Sequence, residues 1–165
     1  MLSSHIGSNE YYKLELPRAW DPGVVQALKK AIRKEDPSLV FLMETQLIGS
    51  EMKKLQQEVG LLQGLFVNSV GRKGGLALLW KFDIQVELRG LNQWFIDVFV
   101  NSGGEIGKWR LTGFYGNLET HRWDDSWALL ERLGKQDDSP WVYIGDFNEV
   151  LSVNEKEGGA DRLSR

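Results

Sequence analysis

The feature that most restricts how this chain can fold is the unbroken apolar run Leu39-Val40-Phe41-Leu42-Met43, closed by Glu44. A strand with one wet face alternates apolar and polar residues, whereas a continuous apolar run bounded by turn and acidic residues describes a strand covered on both faces. Such a strand commits the chain to a sheet with packed layers above and below it. At 165 residues, 42% of them hydrophobic, there is enough apolar surface for one such core and too little length for two. The chain is therefore one domain, or a piece of one.

The flanking sequence supplies the layers. Asp21-Pro22-Gly23 offers an N-cap and a first-turn proline, after which Val24, Val25, Leu28, Ala31 and Ile32 recur at helical spacing until Pro37. Ser50 is the expected cap of a second helix, with Met52, Leu55 and Val59 on one face and Gly60 at its end. Short apolar or alternating runs follow at Gly64 to Val70, Leu76 to Trp80, Asp83 to Leu88, Trp94 to Val100 and Trp109 to Tyr115. With no helix between them they read as an antiparallel meander. A third helix is expected through Trp123, Trp127, Leu130 and Leu133 to Gly134, and Trp141 to Ile144 is another buried strand. This order makes an α+β fold, a mixed sheet flanked by helices. Trp80, Trp94, Trp109, Trp127 and Trp141 lie on these patterns and are read as core residues rather than base-stacking platforms.

Composition removes several classes of function. No cysteine is present, which excludes a disulfide partner and thiolate zinc. The longest apolar runs fall far short of the ~20 residues a membrane span needs, and Met1 to Glu10 carries no secretory pattern, so the expectation is an intracellular protein, nuclear or cytoplasmic, with no membrane partner. The formal charge of -3, with Lys and Arg scattered, leaves no broad electrostatic footprint for nucleic acid, so any such contact is local.

The chemistry concentrates at strand ends. Glu44 follows one buried strand, and Asp146 follows another, with Asn148 two residues on. The C-terminal ends of strands are where open α/β sheets place their sites, and an ionised carboxylate there is costly to desolvate unless paired, hydrogen-bonded or bound to a cation. Taken singly, either acid is more often a cap or turn residue. With only His5 and His121 beside the carboxylates, any metal site is one of hard oxygens, which selects Mg²⁺, Mn²⁺ or Ca²⁺ over zinc.

Four blocks in order carry a resemblance: Leu39-Val40-Phe41-Leu42-Met43-Glu44-Thr45, Gly74-Gly75-Leu76-Ala77-Leu78-Leu79-Trp80, Trp109-Arg110-Leu111-Thr112-Gly113-Phe114-Tyr115-Gly116 and Ile144-Gly145-Asp146-Phe147-Asn148-Glu149. Together with Asn154-Glu155-Lys156-Glu157-Gly158-Gly159, they resemble the apurinic-endonuclease-like domain of plant LINE-type (non-LTR) retrotransposons, a branch of the endonuclease/exonuclease/phosphatase superfamily, from about Pro22 to the end. The resemblance implies a DNase I-like sandwich of mixed β-sheets in four layers with helices outside, incomplete toward the C-terminus. It also implies Mg²⁺ (or Mn²⁺) held by Glu44, with Asp146 orienting or deprotonating the attacking water. Asn148 and Tyr115 are then phosphate contacts, and DNA is the partner. Arg72 and Lys73 are candidates for the DNA backbone on one reading and a solvated turn on the other.

Two departures accompany it. The family's first strand ends in a stretch whose Asn joins the metal site, and here the equivalent place reads Leu14-Glu15-Leu16-Pro17-Arg18. Glu15 is thus either an extra metal ligand or part of an unrelated lead-in, which divides the chain into residues 1–20 and a partial domain over 21–165. Family members also continue beyond Asn148 to a further Asp and an Asp-His pair, which neither His5 nor His121 replaces. The expected reaction is Mg²⁺-dependent phosphodiester hydrolysis of DNA, impaired in these 165 residues. The alternatives are a non-catalytic retrotransposon remnant that binds or scaffolds, and a phosphatase or exonuclease of the same fold.

Overall fold

The computed structural model describes residues 11–15, 21–71, 74–103, 107–115, 128, 131–135 and 138–146, with backbone alone at 11–15 and 146. Its elements in order are β1 (Tyr11–Glu15), α1 (Pro22–Glu35), β2 (Leu39–Met43), α2 (Gly49–Val59), β3 (Gln63–Val67), β4 (Leu76–Trp80), β5 (Gln85–Leu91), β6 (Phe95–Asn101), β7 (Lys108–Tyr115) and β8 (Trp141–Asp146). Helical residues 131–134 lie between the last two strands.

The strands form two sheets of four, ordered β1-β2-β4-β3 and β5-β6-β7-β8. The expected meander is real in its pairings but is divided: β3 and β4 pair antiparallel in one sheet, β5, β6 and β7 in the other, and the chain crosses at the Lys81-Phe82-Asp83 turn. Each sheet is mixed because a helix-containing connection returns one strand parallel to its neighbour, β1 to β2 and β7 to β8.

Burial explains the continuous apolar run. Leu39, Phe41 and Met43 point between the sheets with Leu76, Leu78, Ile96, Val98, Trp109 and Leu111, while Val40 and Leu42 point the other way, onto Val25, Leu28, Met52 and Leu55 of the two helices. Every residue of β2 is buried, as a strand between two layers must be. Beyond the second sheet Leu133 packs on Phe95 and Phe114, adding the fourth layer, so the order is helix, sheet, sheet, helix. Of the tryptophans, Trp80 and Trp109 are buried, Trp94 and Trp141 are half-buried around Leu133, and Trp127 lies outside the described residues.

Local signals set the helices. The Asp21 carboxylate accepts from the Gly23 amide at 2.7 Å, and Asp36 closes α1 in the left-handed conformation. The second helix begins earlier than its polar residues suggest: Ile48, not Ser50, is the N-cap. The Glu51 carboxylate accepts from the Ile48 amide at 3.0 Å, which supplies the capping that a Ser50 hydroxyl would have given. Gly60 ends the helix with φ 78°.

On the outer face of the second sheet a polar cluster, with Asp97, Arg110 and Thr112 fully buried and Trp141 half-buried, joins β6, β7 and β8. Arg110 makes a fork with Asp97 at 2.9 and 2.8 Å and donates to the Leu133 carbonyl, Thr112 donates to Asp97 at 2.6 Å, and the Trp141 indole donates to Thr112 at 2.9 Å. A register shift between Leu88 and Gly90 bulges Arg89 toward the same Asp97, 3.8 Å away. The cluster ties β8 to β7 at the strand that ends in Asp146.

Candidate functional site

Parallel pairing decides where the acids gather. Because β1 and β2 run together, Glu15 pairs with Met43, one residue before Glu44; because β7 and β8 run together, Tyr115 pairs with Asp146. The two sheets then bring these ends to one edge of the sandwich, where the Tyr115 hydroxyl donates to Glu44 Oε1. That bond spans 71 residues of sequence and both sheets. The backbone positions of Glu15 and Asp146 stand beside the two residues that make it.

Tyr115 is buried, and its ring belongs to the core between the sheets, so the hydroxyl emerges from an apolar wall. Glu44 is half-buried at the rim. Among the described residues no Lys or Arg is paired with the Glu44 carboxylate. A partly desolvated carboxylate with a neutral donor on one oxygen keeps lone pairs for a further partner. The donors here are all oxygens, which suits a hard divalent cation. Among the described residues no three acidic or imidazole side chains cluster, and the side chains of Glu15 and Asp146 are outside that set.

The turn that presents Glu44 is unusual. Glu44 and Gln46 both lie in the left-handed region, at φ 49° and 52°, which non-glycine residues adopt only when the surroundings impose it. The imposing element is the start of β4: the Thr45 amide donates to the Gly75 carbonyl at 3.2 Å and the Gln46 amide to the Gly74 carbonyl at 3.1 Å. Thr45 itself is fully buried, and its hydroxyl oxygen accepts from the Leu47 amide at 3.4 Å. In the sequence Gly74-Gly75 separates two strand runs and opens one of the four resembling blocks, neither of which shows this role.

On the opposite sheet the glycine before Asp146 has a steric reason. A Cβ on Gly145 would fall 1.8 Å from the Phe114 carbonyl oxygen, so only glycine lets β8 lie this close to β7 with Asp146 at its end. Of the other candidates, Asn148, Arg72 and Lys73 lie outside the described residues. The structure therefore joins Glu44 to Tyr115 and sets the backbones of Glu15 and Asp146 at the same edge.

A family model described as the Endonuclease/Exonuclease/phosphatase family matches residues 7–164. No curated protein matches this chain. Among solved structures, an AP endonuclease from Archaeoglobus fulgidus superposes with a TM-score of 0.57 at 14% identity, covering 90% of this chain and 60% of that one. A D. rerio TDP2 complexed with single-strand DNA product gives 0.53 at 18% identity over 76% and 54%. An endonuclease/exonuclease/phosphatase family protein from Bacteroides thetaiotaomicron gives 0.59 at 12% identity over 84% and 62%. The chain thus spans less than two thirds of each of these structures, and their likeness is one of fold: two sheets face to face with helices outside. Among the described residues no helix is long and apolar enough to cross a membrane. With nearly its whole length matched and its strand ends arranged as described, the chain belongs to the endonuclease/exonuclease/phosphatase family.

Proposed function

We propose that this chain carries the leading part of a DNA-cleaving phosphodiesterase site that works with Mg²⁺ or Mn²⁺, of the lineage found in plant LINE-type retrotransposons. The observation that carries the reading is the Tyr115–Glu44 bond across the two sheets, at the edge where Asp146 ends its strand. Members of this family generally use divalent metals. Glu44 would hold the cation, and Glu15, one register position from it on β1, is the candidate for a second oxygen. When bound, such a cation polarises the phosphoryl group and neutralises developing charge.

The remaining work belongs to the protein's own groups. Asp146 orients the attacking water and accepts its proton, Asn148 donates to a phosphate oxygen, and the Tyr115 hydroxyl both steadies Glu44 and faces the phosphate. Arg72 and Lys73 are proposed as contacts to the DNA backbone, which would place and not read the duplex. On this reading β1, paired with β2, belongs to the domain, and Glu15 to its site rather than to an unrelated lead-in.

The test is nicking of supercoiled plasmid in Mg²⁺, for the parent and for Glu44→Ala, Asp146→Ala and the double variant. Nicking by the parent, lost in all three variants, supports the proposal. Equal absence of nicking in every protein, together with no Mg²⁺-induced rise in melting temperature, would sink it and leave a non-catalytic module. A parent that releases phosphate from a monoester but leaves plasmid intact would instead make it a phosphatase of the same fold.

A further inference from the structure

We infer that Gly75 is a positioning residue for Glu44: having no side chain, it lets the Glu44–Gln46 turn lie directly on the head of β4, which fixes the Glu44 carboxylate against Tyr115. The metal-binding half of this inference rests on the role proposed for Glu44 above, and the geometric half does not. Three observations carry it. First, a Cβ at Gly75 would stand 2.5 Å from Thr45 Oγ1 and 3.2 Å from the Gln46 amide nitrogen, both inside the turn. Second, that turn holds two non-glycine residues at positive φ, and its backbone is bonded to Gly74 and Gly75 and buried at Thr45, so it has nowhere to retreat. Third, the residue displaced by any retreat is Glu44, whose carboxylate must keep its reach to the Tyr115 hydroxyl on the other sheet.

The neighbouring glycine supplies an internal control. Gly74 also has positive φ, 73°, and also accepts a bond from the turn, but a Cβ there would meet nothing within 4 Å. Gly74→Ala therefore carries the conformational cost of a side chain at positive φ, whereas Gly75→Ala, at φ 91°, adds the collision with Thr45.

The experiment uses the full chain labelled with [¹³Cζ]tyrosine, whose 4 tyrosine signals are assigned with Tyr115→Phe as reference. At one fixed pH the Tyr115 signal of the parent is expected to stand apart from that of Glu44→Ala, in which the acceptor of its hydroxyl is gone. Gly75→Ala is expected to move the signal to the Glu44→Ala position, Gly74→Ala to leave it at the parent's, and Thr45→Ala/Gly75→Ala to bring it back at least in part. Mn²⁺ affinity, read by the paramagnetic resonance of free ion, is expected to fall on the order of 10-fold in Gly75→Ala and to track the tyrosine signal. A Gly75→Ala protein that is folded and keeps the parent's signal overturns the inference, as does a double variant that regains nothing. Should Gly75→Ala fail to fold, Thr45→Ala alone decides, since loosening the turn is expected to move the signal toward the Glu44→Ala position and an unchanged one overturns the inference. If the parent binds no Mn²⁺ yet its signal differs from that of Glu44→Ala, the metal reading fails while the tyrosine signal still judges Gly75.

Discussion

Tyr115 divides its side chain between two environments, a ring in the apolar core and a hydroxyl at the rim, and this division makes it measurable. Tyr115→Phe keeps the packing and removes only the donor to Glu44, so the expected loss is about 1 kcal/mol. A double-mutant cycle with Glu44→Ala should then show the two changes to be non-additive, because each removes the same bond; fully additive melting data would mean that the pair does not interact in solution. Phe41 offers the opposite case, a side chain with no polar duty and no exposure, packed between the sheets. Its replacement by Ala should cost about 3–5 kcal/mol in urea unfolding, and a cost under about 1 kcal/mol would contradict the packing described. Glu44 was legible because an acid at the end of an apolar run demands a partner. The positive φ at Glu44 and Gln46 was not, since nothing in either side chain favours it and the cause lies in a strand thirty residues away.

At the level of elements, the polar cluster of Asp97, Arg110, Thr112 and Trp141 shows where pattern reading fails. Along β7 Arg110 stands on the face opposite Trp109 and Leu111, where a charged residue of an alternating strand normally meets water, and its burial depends on Leu133 arriving from another element. Removing Asp97 takes away both arms of the fork on the buried Arg110 guanidinium, so Asp97→Ala is expected to cost about 3–5 kcal/mol, while Arg110→Met with Asp97→Leu should cost far less. Equal losses in the two proteins, measured by chemical denaturation, would show that the ion pair is not what holds β6 to β7. Helix starts give a milder lesson. Asp21 was readable as a cap and should lose about 1 kcal/mol as Asp21→Ala. The start of α2 was misplaced because a hydroxyl at Ser50 looked like the cap, whereas Glu51 caps from three residues inside.

For the whole molecule, layers were legible and sheets were not. Apolar runs without alternation announced strands with two covered faces, yet no residue between Trp80 and Gln85 announced that the chain leaves one sheet for the other. That division follows from the sandwich closing on itself, a property of all the strands together. Since one core of side chains from both sheets fills the space between them, the sheets should unfold as a unit: tryptophan fluorescence and far-UV circular dichroism are expected to give coincident urea transitions. Separate transitions would mean that the sheets are independent.

The crossing turn also offers a handle. Phe82 at its tip is 88% exposed and follows Trp80, which pairs with Leu39 at the end of β2 opposite to Glu44. Because the chain has no cysteine, Phe82→Cys would create a unique thiol for a fluorophore or a tether. Such a reporter would stand roughly a strand's length, about 16 Å, from the edge where Glu44 meets Tyr115, near enough to be quenched by Mn²⁺ held there as proposed and far enough not to touch it.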